Sequence, residues 1–210
     1  MNPLLRAFIA ACLCLLAHAA PGAEPTASQQ LVKELARLQS LDAAFEQVVL
    51  DARGMVAERT HGRVLAQRPG RFRWVSEAPF AQELVSDGDT LWFYDPDLAQ
   101  VTVRAVDAGL LHTPALLLSG DVDRVVDAFH VRLRGQGEND VEFELTPKDE
   151  ESLFDSLVLG FHAGTPRMLE IVDALGQRTR IVFSAFTANP TLAESSFHFE
   201  SPEDVDVIRD

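Results

Sequence analysis

The run RVLAQRPGRFRWVSEAPFAQELVSDGDTLWFYDPDLAQVTV, Arg63 to Val103, decides the architecture. Strand-like segments are broken at Arg68-Pro69-Gly70, Ala78-Pro79, Asp87-Gly88 and Asp95-Pro96-Asp97. Each break has turn chemistry: Pro fixes φ and removes a hydrogen-bond donor, while Asp-Gly tolerates positive φ. Between the breaks apolar residues alternate with a period of two, Phe72 and Trp74 first, then Leu91 and Phe93 opposite Trp92 and Tyr94. This is an antiparallel meander with an unusually aromatic surface. Such a surface needs an apolar cover, which points to binding rather than reaction. Parity along a strand is not settled by alternation, so a slip of one residue would exchange Phe72, Trp74, Leu91 and Phe93 for Trp92 and Tyr94 as the covered set.

Outward from this stretch, the chain offers two covers. Ser28 can cap a helix from Gln29 to about Ser40, with Leu31, Val32, Leu35 and Leu38 on one face. Thr113-Pro114 starts a second helix that Gly120 stops, and Leu116, Leu117 and Leu118 make it apolar on every side. A short helix of that kind is buried on more than one face or meets a ligand. Val122, Val125, Val126 and Phe129 continue with helical spacing. Elsewhere the pattern is of strands. Phe45, Gln47 and Val49 alternate with Glu46, Val48 and Leu50, and a second strand runs from Met55 to Ala66 with Gly62 as a bulge or close approach. Further hairpins follow from Val131 to Phe186, and Phe197 to Phe199 leads into an acidic tail. The expectation is an α+β, mainly β fold. About ten strands form a single curved antiparallel sheet with the helices gathered on one face.

The chain has 210 residues, enough for one domain with a sizeable core. Arg6 is the only charged residue among the first 23, so the remainder carries 17 basic and 32 acidic side chains. A net charge near −15 repels phosphate backbones and anionic headgroups, which argues against nucleic acid and against electrostatic membrane docking. Residues 1–23 read as a signal peptide, with Arg6, an apolar run from Ala7 to Ala17, and cleavage after Ala19, Ala20 or Ala23. The single domain is then 24–210, exported and free of cysteine, because Cys12 and Cys14 both lie in the leader. Ile9-Ala10-Ala11-Cys12 loosely resembles a lipidation site, but the apolar run continues past it.

Residues arranged for chemistry are few. His61, His112, His130, His162 and His198 are scattered singly, without metal-ligand spacing. Asp95/Asp97, Asp121/Asp123 and Asp204/Asp206 sit at turns or termini, where Asp is expected, and lack the calcium-loop pattern. Nucleophile elbows and phosphate loops do not occur. No catalytic, metal or cofactor residue is assigned, although two distant carboxylates converging in space remain compatible with the sequence.

Several segments, in order and spacing, carry a resemblance: Gln67-Arg68-Pro69-Gly70-Arg71-Phe72-Arg73-Trp74, Leu84-Val85-Ser86-Asp87-Gly88, Leu91-Trp92-Phe93-Tyr94-Asp95-Pro96, Gln100-Val101-Thr102, Thr113 to Gly120, and Val205-Asp206-Val207-Ile208. Together they resemble the outer-membrane lipoprotein carrier (LolA) family over essentially the whole chain after the leader. Gln67 stands where a Lys often precedes the Arg-Pro pair, and Ser201-Pro202-Glu203-Asp204 replaces a more usual Pro-Pro-Gly. The resemblance implies a half-open, incomplete β-barrel with a helical lid, acting as a monomeric periplasmic chaperone without a cofactor. It implies triacylated lipoproteins as cargo, received from an inner-membrane ATP-driven releasing complex and passed to an outer-membrane lipoprotein receptor. It implies further that Arg68 latches the lid through backbone carbonyls. Phe72, Trp74, Leu91 and Phe93 would line the acyl-chain cavity from the sheet, and Leu31, Leu35, Leu38 and Leu116 to Leu118 from the lid. A membrane-anchored acceptor or envelope-stress sensor of similar half-barrel fold is the alternative.

Overall fold

The computed structural model describes residues 25–77, 79–106 and 114–209, apart from the side chains of Pro114 and Leu116. Helix α1 (Ala27–Ala36) is followed by β1 (Ser40–Leu50), β2 (Val56–Gln67), β3 (Arg71–Ser76), β4 (Gln82–Asp87), β5 (Thr90–Asp95) and β6 (Gln100–Ala105). Two short helices, α2 (Pro114–Ser119) and α3 (Val122–Asp127), interrupt the strands. Then come β7 (Phe129–Gln136), β8 (Asp140–Pro147), β9 (Phe154–His162), β10 (Thr165–Asp173) and β11 (Arg178–Ala188). A 3₁₀ turn at Glu194–Phe197 and a last strand, β12 (Asp206–Arg209), complete the chain.

All twelve strands belong to one sheet, ordered β12-β6-β5-β4-β3-β2-β1-β11-β10-β9-β8-β7. Both ends of the order are free, so the sheet does not close. It is nevertheless strongly curved. Leu91 on β5 and Phe129 on β7 lie nine strand spacings apart, roughly 40 Å in a flat sheet, yet both belong to one buried cluster. That cluster also contains Leu31 and Leu35 of α1, Leu117 and Leu118 of α2, and Val125 and Val126 of α3. The helices therefore fill the concave side, as the mainly β reading with a covered face requires.

The register resolves the parity left open by alternation. Across β3, β4 and β5, Phe72 pairs with Ser86 and Ser86 with Leu91, while Trp74 pairs with Leu84 and Leu84 with Phe93. These residues share the concave face. Trp92 and Tyr94 are on the other face with Val85 and Val101, beneath Phe199, whose ring centroid is 6.4 Å from Trp92 and 6.0 Å from Tyr94. The segment after β11 thus crosses the outer face as a strap, held also by Arg73 Nη1 donating to Ser196 O at 3.0 Å.

Several details differ from the sequence reading. Helix α1 is capped by Thr26, not Ser28: Thr26 Oγ1 accepts from the Gln29 amide at 3.2 Å and Gln29 Oε1 accepts from the Thr26 amide at 2.9 Å. Either residue type can cap, and this reciprocal pair satisfies two end donors at once. The helix ends at Ala36 rather than near Ser40, because Asn189 accepts from the Gln39 amide (2.7 Å) and donates to Arg37 O (3.0 Å) across the sheet, drawing Ser40 into β1. Phe129 opens β7 instead of ending a helix. Strand β12 has no signature in the sequence: its four exposed residues carry no burial period, and it pairs parallel to β6 through the strap. At Gly62 there is no bulge but a close approach. A Cβ there would lie 1.9 Å from Val75 O and 2.8 Å from the Phe45 ring. The expected Thr113 cap, residues 1–23 read as a signal peptide, and His112 lie outside the described residues.

Candidate functional site

The concave face is an apolar surface built by alternation on fixed strands. Phe45 and Ala43 on β1, Val64 and Ala66 on β2, Phe72 and Trp74 on β3, and Phe183 on β11 are all buried there. Trp74 packs within it, 4.4 Å from Phe45 and 6.4 Å from Phe183 between ring centroids. Of the sheet residues expected to line a cavity, Phe72, Trp74 and Leu91 are buried under the helices, and Phe93 is half-buried at the margin. Phe45, Phe183, Phe143 and Phe161 also belong to this buried cluster, beyond the residues that the sequence assigns to it. Their alternation is visible in the sequence, but which face of a distant strand joins the concave side is decided by pairing.

From the lid side, Leu31, Leu35, Leu38, Leu117 and Leu118 are all nearly or fully buried. Leu38 belongs to the segment just past α1 rather than to the helix. The side chain of Leu116 lies outside the described residues. Helices α1 and α3 pack on each other and on β7, while α2 lies over β2 and β3. Between α2 and the sheet a cavity of about 170 Å³ remains, with Trp74, Leu84 and Phe93 as its apolar wall, Ala115 above, and Gln47, Ser76 and Gln82 at its edge. A larger hollow of about 540 Å³ lies beside the strap, but Arg71, Asp87, Asp89 and Glu194 make it charged, and it is unsuited to an apolar ligand.

Arg68 ties the helices to the sheet. It occupies the tight turn between β2 and β3, where the Arg68-Pro69 peptide is cis. Its Nε donates to Leu38 O at 2.9 Å, and its Nη1 donates to Gly120 O. These carbonyls follow α1 and α2 respectively, the positions at which a helix leaves acceptors without internal partners. The same turn adds two backbone bonds, Arg68 N to Gln39 O (2.8 Å) and Gly70 N to Ser119 O (2.7 Å). The Nη2 of Arg68 is buried and has no hydrogen-bond partner among the described residues. Burial pulls the guanidinium well below the ordinary arginine range, to about 10, partly opposed by the charge of Asp121. The group stays charged at neutral pH and is held at an energetic cost.

A sheet left open, curved around aromatic residues and shut by helices pinned through one arginine, defines a lidded half-barrel of the kind that shelters apolar ligands. The description "Outer membrane lipoprotein carrier protein LolA" belongs to the family that matches residues 36–200. The outer-membrane lipoprotein carrier protein of Azotobacter vinelandii is 44% identical over 188 residues, covering 90% of each chain, and that of Pseudomonas aeruginosa is 40% identical over 207 residues, covering 99% of each. The chain belongs to the LolA family. In fold it is similar to an uncharacterised conserved protein from Thermus thermophilus, with a TM-score of 0.58 at 15% identity, covering 88% of this chain and all of that one.

Proposed function

We propose that this protein is a periplasmic chaperone that binds the acyl chains of lipoproteins leaving the inner membrane and carries them to an outer-membrane receptor. The observation that carries the reading is the continuous apolar concave face, closed by helices that Arg68 fastens at two carbonyls. Burying a methylene is worth about 0.8 kcal/mol, so one chain of roughly fifteen methylenes gains about 12 kcal/mol on leaving water. Each buried leucine of the lid gains roughly 1.5–3 kcal/mol, which makes the docked lid comparable to one acyl chain. Lid and one acyl chain compete for the same surface on nearly equal terms. A protein built this way loads and unloads without a fuel of its own.

In this reading residues 1–23 direct export and 24–210 form the carrier. Arg68 is the latch, and Phe72, Trp74, Leu91, Phe93, Leu31, Leu35, Leu38 and Leu116 to Leu118 form the surface that passes from lid to lipid. Triacylated lipoproteins are the cargo. An ATP-driven releasing complex supplies them, an acceptor receptor takes them, and the carrier works as a monomer without catalysing a reaction. The test is to incubate the purified, folded protein with spheroplasts and follow newly made lipoproteins. They are expected in the soluble fraction in a complex with the carrier; their retention in the membrane despite folded carrier would refute the function.

A further inference from the structure

We infer that the 170 Å³ cavity is an entry subsite for one acyl chain that recognises the carbonyl of the chain's ester or amide linkage through Gln47 and Ser76. The inference rests on the carrier reading and specifies how its ligand is held. Four observations support it. The cavity exists with the lid shut, and at about 30 Å³ per water-sized group it holds roughly five or six carbon-sized groups, the first part of a chain rather than a whole one.

Its position is distinctive. Ser76 is the last residue of β3 and Gln82 the first of β4, so the cavity lies at the end of the sheet opposite the Arg68 turn that joins β2 to β3. A chain can therefore enter beside Ala115 of α2 before the latch yields.

Its lining is graded. Along β3, Trp74 and Ser76 face the same side, paired with Leu84 and Gln82 on β4. Moving toward the strand ends, the wall changes from indole and isobutyl to hydroxyl and amide. Polar groups on rigid strands can orient a ligand, whereas from above, among the described residues, α2 contributes the apolar Ala115.

The fourth observation is availability. Gln82 is committed, donating to Asp95 at 3.3 Å. Among the described residues neither the Gln47 amide nor the Ser76 hydroxyl has a hydrogen-bonded partner. A primary amide and a hydroxyl are both donors, matched to a carbonyl oxygen and not to a methylene. The subsite therefore favours a chain that ends in an ester or amide over one that ends in an ether.

The test uses the chain's two tryptophans. In a Trp92→Phe protein, which keeps Trp74 as the reporter, binding of 1-monooctanoylglycerol is compared with that of 1-O-octylglycerol by Trp74 fluorescence. The two probes differ in the carbonyl. The ester is expected to bind about five-fold more tightly, close to 1 kcal/mol at 1.4 kcal/mol per tenfold. In Gln47→Leu and in Ser76→Ala the ester-to-ether ratio is expected to fall toward one, with circular dichroism establishing that each variant is folded. A ratio of one in the Trp92→Phe protein, or a ratio unchanged in both variants, would overturn the subsite. Failure of both octyl probes and of dodecyl and hexadecyl glycerides to bind would instead remove the carrier reading itself.

Discussion

Replacing Arg68 by Met keeps a long unbranched side chain in the β2–β3 turn and removes the guanidinium. Two charge-assisted bonds are lost, to Leu38 O and Gly120 O, each worth roughly 1.5–3 kcal/mol. Against this, the depression of the guanidinium to about 10 reflects the cost of holding the charge in a partly buried place. With 1.36 kcal/mol for each tenfold change in proton affinity, that cost is roughly 3 kcal/mol, and the variant is relieved of it. The two backbone bonds of the turn remain. The net weakening is therefore modest, about 1–2 kcal/mol, a factor of roughly 5–30 in the open population. The assay is amide hydrogen exchange. Amides of 115–119 and 31–38 are expected to exchange about 5–30 times faster in Arg68→Met, while those of β9 and β10 change little. Affinity for a long alkyl probe is expected to rise by a similar factor, because the lid competes less. Arg68→Lys, with one compact charge in place of a fork, is expected to fall between. Unchanged exchange in α2, or acceleration spread evenly over the whole sheet, would show that Arg68 supports the fold and does not govern the lid.

Other outcomes follow from the same geometry. Gly62→Ala places a Cβ against Val75 O and the Phe45 ring, which is expected to cost about 3 kcal/mol and lower Tm by roughly 6–12 °C; a thermal melt within 2 °C of the parent would contradict the close approach. Addition of a long-chain monoglyceride is expected to shift the emission of Trp74, which faces the lid, and to leave Trp92, packed under Phe199 on the outer face, unmoved. Single-tryptophan proteins made by Trp92→Phe and Trp74→Phe read the two separately, and a larger response from Trp92 would reverse the assigned faces. Asp51 is held below its ordinary 3.8, chiefly by the Met55 amide, so its support of the β1–β2 turn is present above 3.8 and fades as pH falls through the lower folded value. Nuclear magnetic resonance titration of the Asp51 carboxyl is expected to give a midpoint below 3.8, and Asp51→Asn to make the stability of that turn flatter in acid. An Asp51 midpoint at or above 3.8 would refute the turn bonds.

Much of this was legible in the chain itself. The Pro and Gly breaks between Arg63 and Val103 specify tight turns whatever surrounds them, and period-two alternation specifies strands with two unlike faces. The all-apolar Ala115 to Leu118 segment demands burial on more than one side, and Ala115, Leu117 and Leu118 of α2 are buried against the sheet. These are local properties, determined by single dihedrals and by which atoms avoid water. The tertiary structure decided the rest. Alternation does not say which parity is concave; that follows from the β3–β4–β5 register, which sends Trp74 inward and Trp92 outward. Nor does spacing reveal that Asn189 cuts α1 short, or that an exposed four-residue strand pairs in parallel with β6 through a strap. The Arg-Pro pair announces a turn, but only the fold brings Leu38 O and Gly120 O, 30 and 52 residues away, to one guanidinium. Contacts between residues far apart in sequence depend on how the whole sheet curves, and no local pattern records that curvature.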